Sequence, residues 1–294
     1  MDTQAELAQR FDRSRGRLRD VAYRMLGSAD EAEDAVQEAW LRASRAGAEG
    51  VTNLNAWLTK IVSRICLDML RSQRRRGEEF ADLAELDKLA PPDPATDPAD
   101  EAVLADSVGL ALLVVLDTLA PAERVAFVLH DLFAVPFEEI AEIVERSTAA
   151  TKKLASRARQ RVHGTAVVSA ADFTRRREVV DAFLAASRAG DLEGLLAVLA
   201  PDVVRRSDVS TRPGEELEIR GAHRLTHETL ANSGRAHFAR PILVDGALAI
   251  AVAPLGRLRL VLLLTIDDDR ITAIEVIGEP ARLRGLELAL PEGA

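Results

Sequence analysis

An acidic, proline-rich stretch divides the chain and limits how it can fold. Residues 77–106 carry ten acidic side chains and one basic side chain, together with four prolines. Charge repulsion keeps such a segment extended, and the prolines prevent a continuous helix. We therefore predict a linker over residues 77–104, with one domain before it and more than one after it in a chain of 294 residues.

The composition favours a soluble cytoplasmic protein. Hydrophobic residues make up 48% of the chain, yet no apolar run is long enough to cross a membrane, and the first residues are strongly charged. These features predict neither a membrane helix nor a secretory signal. Cys66 is the single cysteine, which excludes an intrachain disulfide, and its apolar helical surroundings predict core packing.

The stretch "SADEAEDAVQEAWLRA" predicts a helix with two different faces. Ser28 and Glu31 have the spacing of a capping box. A buried stripe at helical spacing follows, formed by Ala32, Ala35, Val36, Ala39, Trp40 and Ala43. The opposite face carries Asp30, Glu33, Asp34, Gln37 and Glu38, with Leu41 among them. This face is either a solvated helix surface or a protein interface, with acids for a basic partner and Leu41 as an apolar anchor.

The next helical stretch, "NAWLTKIVSRICLDMLRSQRRR", places an aromatic ring among basic groups. One flank carries Trp57, Lys60, Arg64, Arg71 and Arg75, and Arg74 and Arg76 lie near the helix end. Single-stranded nucleic acid binds to such a surface because cations hold its phosphates while a ring stacks on a base. The alternatives are core packing of the tryptophan and a solvated helix end for the arginines.

Two helical patterns around residue 145 predict a helix-turn-helix, downstream of two helices that are separated just before Pro121. The first helix of the motif runs over residues 137–144, and Ser147 or Thr148 caps the second. Glu145 stands in the turn, where glycine is usual. The outer arc of the second helix carries Lys152, Lys153, Arg157, Arg159, Gln160 and Arg161. Such a helix can neutralise phosphates and enter the major groove of duplex DNA.

Together these stretches resemble an extracytoplasmic-function (ECF) RNA polymerase sigma factor over roughly residues 5–163. The motifs that carry the resemblance are "LRDVAYRMLGSADEAEDAVQEAWLRA", "NLNAWLTKIVSRICLDMLR" and "LAPAERVAFVLHDLF". The resemblance implies that residues 1–76 form the all-α region-two domain and that residues 105–163 form the all-α region-four domain with the helix-turn-helix.

The resemblance also implies a role for each face. The acidic face with Leu41 would grip the coiled coil of the polymerase β′ subunit. The minus-ten promoter element would be melted and read by residues 53–76, through Asn53, Trp57, Lys60, Arg64, Arg71, Arg74 and Arg75. The minus-thirty-five element would be read as duplex through Thr148, Lys152, Lys153, Arg157, Arg159 and Arg161.

The remainder of the chain predicts an α+β domain over residues 172–290. Amphipathic helices precede strands rich in Val, Ile and Leu with Asp-Gly and Asp-Asp-Arg turns, which favours a curled antiparallel sheet packed on helices. The stretches "AGDLEGLLAVLAPDV", "IRGAHRL" and "DDDRITAIEVIGEPARLRGL" resemble the SnoaL-like branch of the cystatin-like cone folds. Fused domains of this kind are regarded as built-in regulators of a subgroup of ECF sigma factors, so the resemblance implies regulation.

The candidate pocket residues of this domain are Asp202, Asp208 and His223. Cone-fold isomerases pair a carboxylate base with a tyrosine, but this part of the chain contains no Tyr, Trp or Cys. An apolar pocket can also bind an unknown small ligand without reacting. We therefore expect no catalytic residue, no cofactor and no metal site.

Two other functions fit parts of the sequence. A ligand-responsive helix-turn-helix regulator would bind duplex DNA without polymerase, but it has no use for the face with Leu41 or the face with Trp57. An enzyme fused to a DNA-binding module is disfavoured, because the C-terminal part of the chain lacks the pocket aromatics that such an enzyme would use. We therefore predict a sigma factor that binds core RNA polymerase and promoter DNA in the cytoplasm, without a membrane partner.

Overall fold

A computed structural model describes residues 2–76, 109–164, 166–211 and 216–291. The predicted linker, 77–104, lies outside these residues. The chain divides into two compact units. One, the helical unit, comprises Met1–Glu78 and Leu119–Gln160, and the other, the C-terminal unit, comprises Glu79–Thr118 and Arg161–Ala294.

Three long helices form the first part of the helical unit. Their bounds are Asp2–Leu26 for α1, Ala29–Ala46 for α2 and Leu54–Arg76 for α3. The hydroxyl of Ser28 accepts a hydrogen bond from the backbone N–H of Glu31 at 3.3 Å, which confirms the predicted start of α2. The predicted α2 stripe is buried except for Trp40, which is half-buried with its ring centroid 5.1 Å from that of Phe11. Cys66 is buried, and this burial raises the pKa of its thiol.

The predicted helix-turn-helix is present. The motif consists of α6 (Phe137–Val144) and α7 (Thr148–Val162). It is preceded by α4 (Gly109–Asp117), which belongs to the C-terminal unit, α5 (Pro121–Phe127) and a π-helical turn (Val128–Leu132). Glu145 ends α6 with φ at 57°, so it takes the left-handed conformation that glycine usually provides. Ser147 caps α7 by accepting a hydrogen bond from the N–H of Ala150 at 3.2 Å.

The C-terminal unit combines helices with one mixed sheet. Its further helices are α8 (Ala170–Ala189), α9 (Leu192–Val198), α10 (Ala222–Ala231), α11 (Ser233–Ala236) and α12 (Pro280–Gly285). Its strands are β1 (Leu199–Ser207), β2 (Glu218–Arg220), β3 (Ala239–Val244), β4 (Ala247–Val252), β5 (Leu260–Asp267), β6 (Arg270–Ile277) and β7 (Leu288–Ala289). Within the described residues they pair in the order β2-β1-β6-β5-β4-β3-β7.

The sheet follows the predicted antiparallel pattern except between β1 and β6, which are parallel. The two predicted hairpin turns are present, with positive φ at Asp245, Gly246, Asp268 and Asp269, as tight type I′ turns require. β1 begins at Leu199. Its register with β6 is irregular between Leu199 and Val204, where Pro201 supplies no N–H for the ladder.

The core of this unit lies between the sheet and the helices. It contains Val180, Phe183, Leu195, Leu225, Ile250, Leu260 and Ile274, among others. Helix α4 also belongs here, since it packs against β3 and β7 and its residues from Leu110 to Leu116 are mostly buried. Because α4 is apolar on almost every side, other elements must bury almost all of its surface. Among the described residues no helix is long and apolar enough to span a bilayer.

The end of α7 is anchored in the C-terminal unit. The carbonyl of Val162 accepts a hydrogen bond from the N–H of Leu290 at 2.8 Å. The guanidinium of Arg161 donates to the carbonyl of Thr118, directly after α4, at 2.9 Å. At Gly164 an added Cβ would lie 2.4 Å from the Cβ of Ala289, so this position accepts no side chain without a shift. Residues 161–164 are therefore packed within the C-terminal unit.

Candidate functional site

The acidic face of α2 surrounds an exposed leucine. Asp30, Asp34 and Gln37 are exposed, whereas Glu38 is half-buried and pairs with Arg42 at 2.8 Å. Leu41 is 45% exposed and lies among these polar side chains.

A surface hollow adjoins this face between α1 and α2. It has a volume of about 420 Å³, and Phe11, Trp40, Gln37 and Leu41 are among the residues that line it. The hollow offers apolar contact, and the surrounding carboxylates offer negative charge. This combination suits a partner that presents both apolar and basic groups.

The predicted nucleic-acid face of α3 is only partly exposed. Asn53 caps the helix by accepting a hydrogen bond from the N–H of Ala56 at 3.1 Å. Trp57 is half-buried, so part of its ring surface remains accessible. The other arginines lie along the second half of the helix: Arg71 is 3.6 Å from Asp68 and half-buried, and Arg74 and Arg75 are exposed.

Glu142 of α6 engages two basic residues of this face. Its carboxylate forms an ion pair with Lys60, and its carbonyl accepts a hydrogen bond from Arg64 at 2.8 Å. The hydrogen bond from Lys60 lowers the pKa of Glu142. Sequence reasoning missed this contact because 82 residues separate Lys60 from Glu142. Within the helical unit, an anion that approached Lys60 or Arg64 would therefore compete with Glu142.

The outer arc of α7 is exposed near its centre and held near its end. Lys153 and Arg157 are exposed and form no ion pair within the described residues. The ammonium of Lys152 lies 5.8 Å above the ring of Phe137. Arg159 forms an ion pair with Asp131, and Arg161 donates a hydrogen bond to the backbone carbonyl of Thr118. Thr148, in the first turn, is half-buried.

The three expected pocket residues of the C-terminal unit do not line the cavity between its sheet and helices. Asp202 and His223 are exposed to solvent. The carboxylate of Asp208 accepts hydrogen bonds at 2.8 Å from the backbone N–H groups of Gly278 and Glu279. Burial raises its pKa, but hydrogen bonds from Ser210 and these backbone groups outweigh that effect and lower it. Asp208 therefore joins two loops of the fold. The expectation that Asp202, Asp208 and His223 line the cavity differs from the structure.

The residues that line this cavity instead include Arg205 and Ser207 of β1. Sequence reasoning missed them, although a signal was available. Val203, Arg205 and Ser207 alternate at strand spacing, and all three are buried on one face. Because side chains two positions apart in a strand lie on the same face, the apolar Val203 predicts that Arg205 and Ser207 also face the core.

Comparison with known proteins identifies the family. Residues 10–76 match Sigma-70 region 2, and residues 109–162 match Sigma-70 region 4. The chain is 35% identical over 285 residues to the probable ECF RNA polymerase sigma factor SigI of Mycobacterium tuberculosis, with 95% of each sequence covered. It is 36% identical over 292 residues to the ECF RNA polymerase sigma factor SigJ of the same organism, covering 95% of this chain and 93% of SigJ. The chain belongs to the ECF RNA polymerase sigma factors.

This ECF sigma factor was also compared with solved structures. The crystal structure of SigJ from M. tuberculosis covers 95% of this chain and 98% of its own, at 34% identity and a TM-score of 0.47. Membership of the family confirms the predicted class of function: the protein is an RNA polymerase sigma factor that acts in transcription initiation. A helix-turn-helix regulator that works without polymerase is not favoured, because regions 2 and 4 are both present.

Proposed function

We propose that three faces of the ECF sigma factor divide the work of initiation. The α2 face with Asp30, Asp34, Gln37, Glu38 and Leu41 binds the β′ coiled coil of core polymerase. The exposed leucine beside a hollow lined by Phe11 and Trp40 supports this role, because together they offer apolar contact to a partner.

The two other faces contact promoter DNA. The α3 face, with its half-buried tryptophan, opens and reads the minus-ten element as a single strand, and α7 reads the minus-thirty-five element as duplex. Exposed cations on both helices support these assignments. In this scheme residues 1–76 form the region-two domain and residues 105–163 form the region-four domain. The protein then works in the cytoplasm, where polymerase and promoters meet.

The C-terminal domain, residues 172–290, regulates initiation in cis and carries out no catalysis in this proposal. The observation that carries it is the hydrogen bond between Val162, the last residue of α7, and Leu290. The packing of α4 against β3 and β7 adds to it, because α4 lies within the region 4 match. A change in the C-terminal domain can therefore alter the start and the end of region four. A small ligand in the cavity of the domain is the natural cause of such a change.

Run-off transcription with purified core polymerase tests this function. The template is a promoter selected from a random library with the wild-type holoenzyme. Wild type should support promoter-specific transcripts, whereas core polymerase alone should not. An absence of transcripts from every selected template would contradict a role in initiation.

Gly164→Val tests regulation in cis, because its side chain would collide with Ala289 and push residues 161–164 away from the sheet. Gly285→Val is the matched control, since nothing lies within 4 Å of a Cβ at that position. We expect Gly164→Val to change run-off yield by about threefold or more, while the control matches wild type. Equal yields from all three proteins, with unchanged circular dichroism, would contradict regulation through this contact.

A further inference from the structure

The C-terminal unit contains a cavity whose walls are mostly apolar. It lies between the inner face of the sheet and helices α8, α10 and α11 and has a volume of about 120 Å³. Its apolar lining residues include Phe183, Leu225, Ile250, Leu262 and Ile274. An apolar cavity of about 150 Å³ in another protein stays dry and binds benzene. This space therefore suits a body of about one small ring or one branched chain.

The charged residues of the lining are already engaged within the protein. Among the described residues they are Arg205, Glu228 and Arg235. A guanidinium nitrogen of Arg205 is 3.0 Å from the Glu228 carboxylate, and Arg235 also has an interaction partner. A charged ligand would have to disrupt one of these interactions before it gained a partner, and an unpaired charge is costly in an apolar cavity. The lining therefore favours a neutral ligand.

The hydroxyl groups of the lining differ in their hydrogen bonds. Those of Ser187, Thr211 and Thr229 each donate to a backbone carbonyl, at 2.7, 2.7 and 2.9 Å. Ser207 is 9% exposed and lines the same cavity, but its hydroxyl has no hydrogen-bond partner among the described residues. Buried hydroxyls in native proteins nearly always have a partner, and a ligand atom would supply one here.

Asn232, at the end of α10, adds an acceptor to the lining. Its side-chain nitrogen donates to the carbonyl of Glu228 at 2.8 Å, which fixes the orientation of the amide. The side-chain oxygen receives no hydrogen bond from the residues that the structure describes. One wall of the cavity thus offers a hydroxyl and another offers an amide oxygen. A ligand hydroxyl complements both, because it can accept one hydrogen bond and donate another.

We propose that the cavity binds a small neutral alcohol with an aromatic or branched apolar body. The body occupies the apolar wall, and the ligand hydroxyl accepts a hydrogen bond from Ser207 and donates one to Asn232. The site deepens the proposed regulation in cis and rests on it for its effect on transcription. β3 links the two, since Ala239 lines the cavity and the same strand packs against α4.

Calorimetric titration of the full-length protein tests the site with four probes that share one ring. Benzyl alcohol is the neutral alcohol, ethylbenzene its hydrocarbon analogue of similar size, benzoate the anion and benzylammonium the cation. We expect benzyl alcohol to bind with a Kd below about 1 mM and each of the other probes to bind about fivefold more weakly or worse.

The order of affinities decides between the possible contents of the cavity. A site without hydrogen bonds to the ligand would prefer ethylbenzene, because a hydrocarbon leaves water more readily than an alcohol does. Tighter binding of ethylbenzene, or equal binding of either charged probe, would overturn the proposal. Heats of benzyl alcohol that do not saturate, as expected if water alone fills the cavity, would overturn it too.

Two serines of the same cavity provide matched variants. Ser207→Ala removes the hydroxyl that has no partner, so it should weaken benzyl alcohol about fivefold and leave ethylbenzene unchanged. Asn232→Ala should weaken benzyl alcohol by a similar factor. Ser187→Ala removes a hydroxyl that already donates within α8, so it should bind benzyl alcohol as wild type does. Circular dichroism checks folding, and equal affinities of the two serine variants would overturn the assigned position.

Run-off transcription separates this proposal from the regulation in cis beneath it. Benzyl alcohol should change the wild-type yield about threefold or more, with a half-maximal concentration equal to its Kd, and Ser207→Ala should raise that concentration about fivefold. A nonspecific effect of the alcohol on polymerase would be the same with both proteins. Binding without any change in yield would overturn the link to regulation. A lack of binding, with Gly164→Val still altering the yield, would overturn the site and leave regulation in cis intact.

Discussion

The helical unit carries several residues of its proposed binding faces in exposed positions, whereas the C-terminal unit encloses an ion pair. Leu41 is 45% exposed, and Lys152, Lys153 and Arg157 are also exposed. In the C-terminal unit, Arg205 is 8% exposed and lies against Glu228. Substitutions on the first set should therefore change binding to large partners without changing stability. Substitutions on the second set should change stability as well as ligand binding.

The largest effect is expected for Glu228→Leu, which leaves the buried Arg205 without this carboxylate. We expect the C-terminal unit to lose about 3 kcal/mol of unfolding free energy. Urea unfolding followed by circular dichroism should show the loss. Both tryptophans of the chain lie in the helical unit, so the fluorescence transition should stay in place.

Glu218→Leu is the control for this substitution. Glu218 pairs with Arg206 at 2.8 Å and with Arg220 at 2.6 Å on the exposed edge strand β2, where water screens the pairs. Its effect on stability should be much smaller. Equal losses from the two substitutions would remove the contrast between enclosed and exposed charges.

Leu41→Asp should weaken binding to core polymerase by about 1–3 kcal/mol, because an apolar anchor is lost and a charge must be desolvated. Surface plasmon resonance with immobilised core polymerase measures the change. Leu132→Asp, which replaces a leucine that is 36% exposed elsewhere in the helical unit, should bind as wild type does. A fall in the melting temperature of Leu41→Asp would mean that Leu41 belongs to the core.

Trp57→Ala and Lys152→Ala should separate strand opening from duplex binding. Loss of a stacked ring costs about 1–3 kcal/mol per base and should slow promoter opening, as measured by permanganate reactivity. Loss of Lys152 should weaken duplex binding and reduce the slope of log affinity against log salt by about one. Equal defects of both variants on pre-melted promoter DNA would contradict this division.

The smallest effect is expected for Glu142→Gln, which removes the ion pair with Lys60 and leaves the backbone hydrogen bond to Arg64. Binding of single-stranded minus-ten DNA should improve by about two- to fivefold, since an exposed pair contributes little. Fluorescence anisotropy with a labelled strand measures this. Glu139→Gln removes the same charge from an exposed position of α6 and is the control, so an equal gain there would show a general charge effect.

Local sequence determined the elements and their faces. Helical spacing identified the buried stripe of α2 and the helix-turn-helix, and Glu145 takes the left-handed conformation at the predicted turn. Dipeptides predicted the two hairpins of the sheet. These features succeed because capping, turn conformation and periodic burial depend on residues within a few positions of each other. The exposure of Leu41 follows from the same spacing.

Only the tertiary structure decided which distant elements meet. It brings Glu142 to Lys60 and Arg64, joins Val162 to Leu290, and places α4 against the sheet of the C-terminal unit. It also replaces Asp202, Asp208 and His223 with Arg205 and Ser207 as lining residues of the cavity. Periodicity states which side of an element a residue occupies, but packing between elements determines what lies opposite. The cavity and the contacts of region four depend on that packing and not on local spacing.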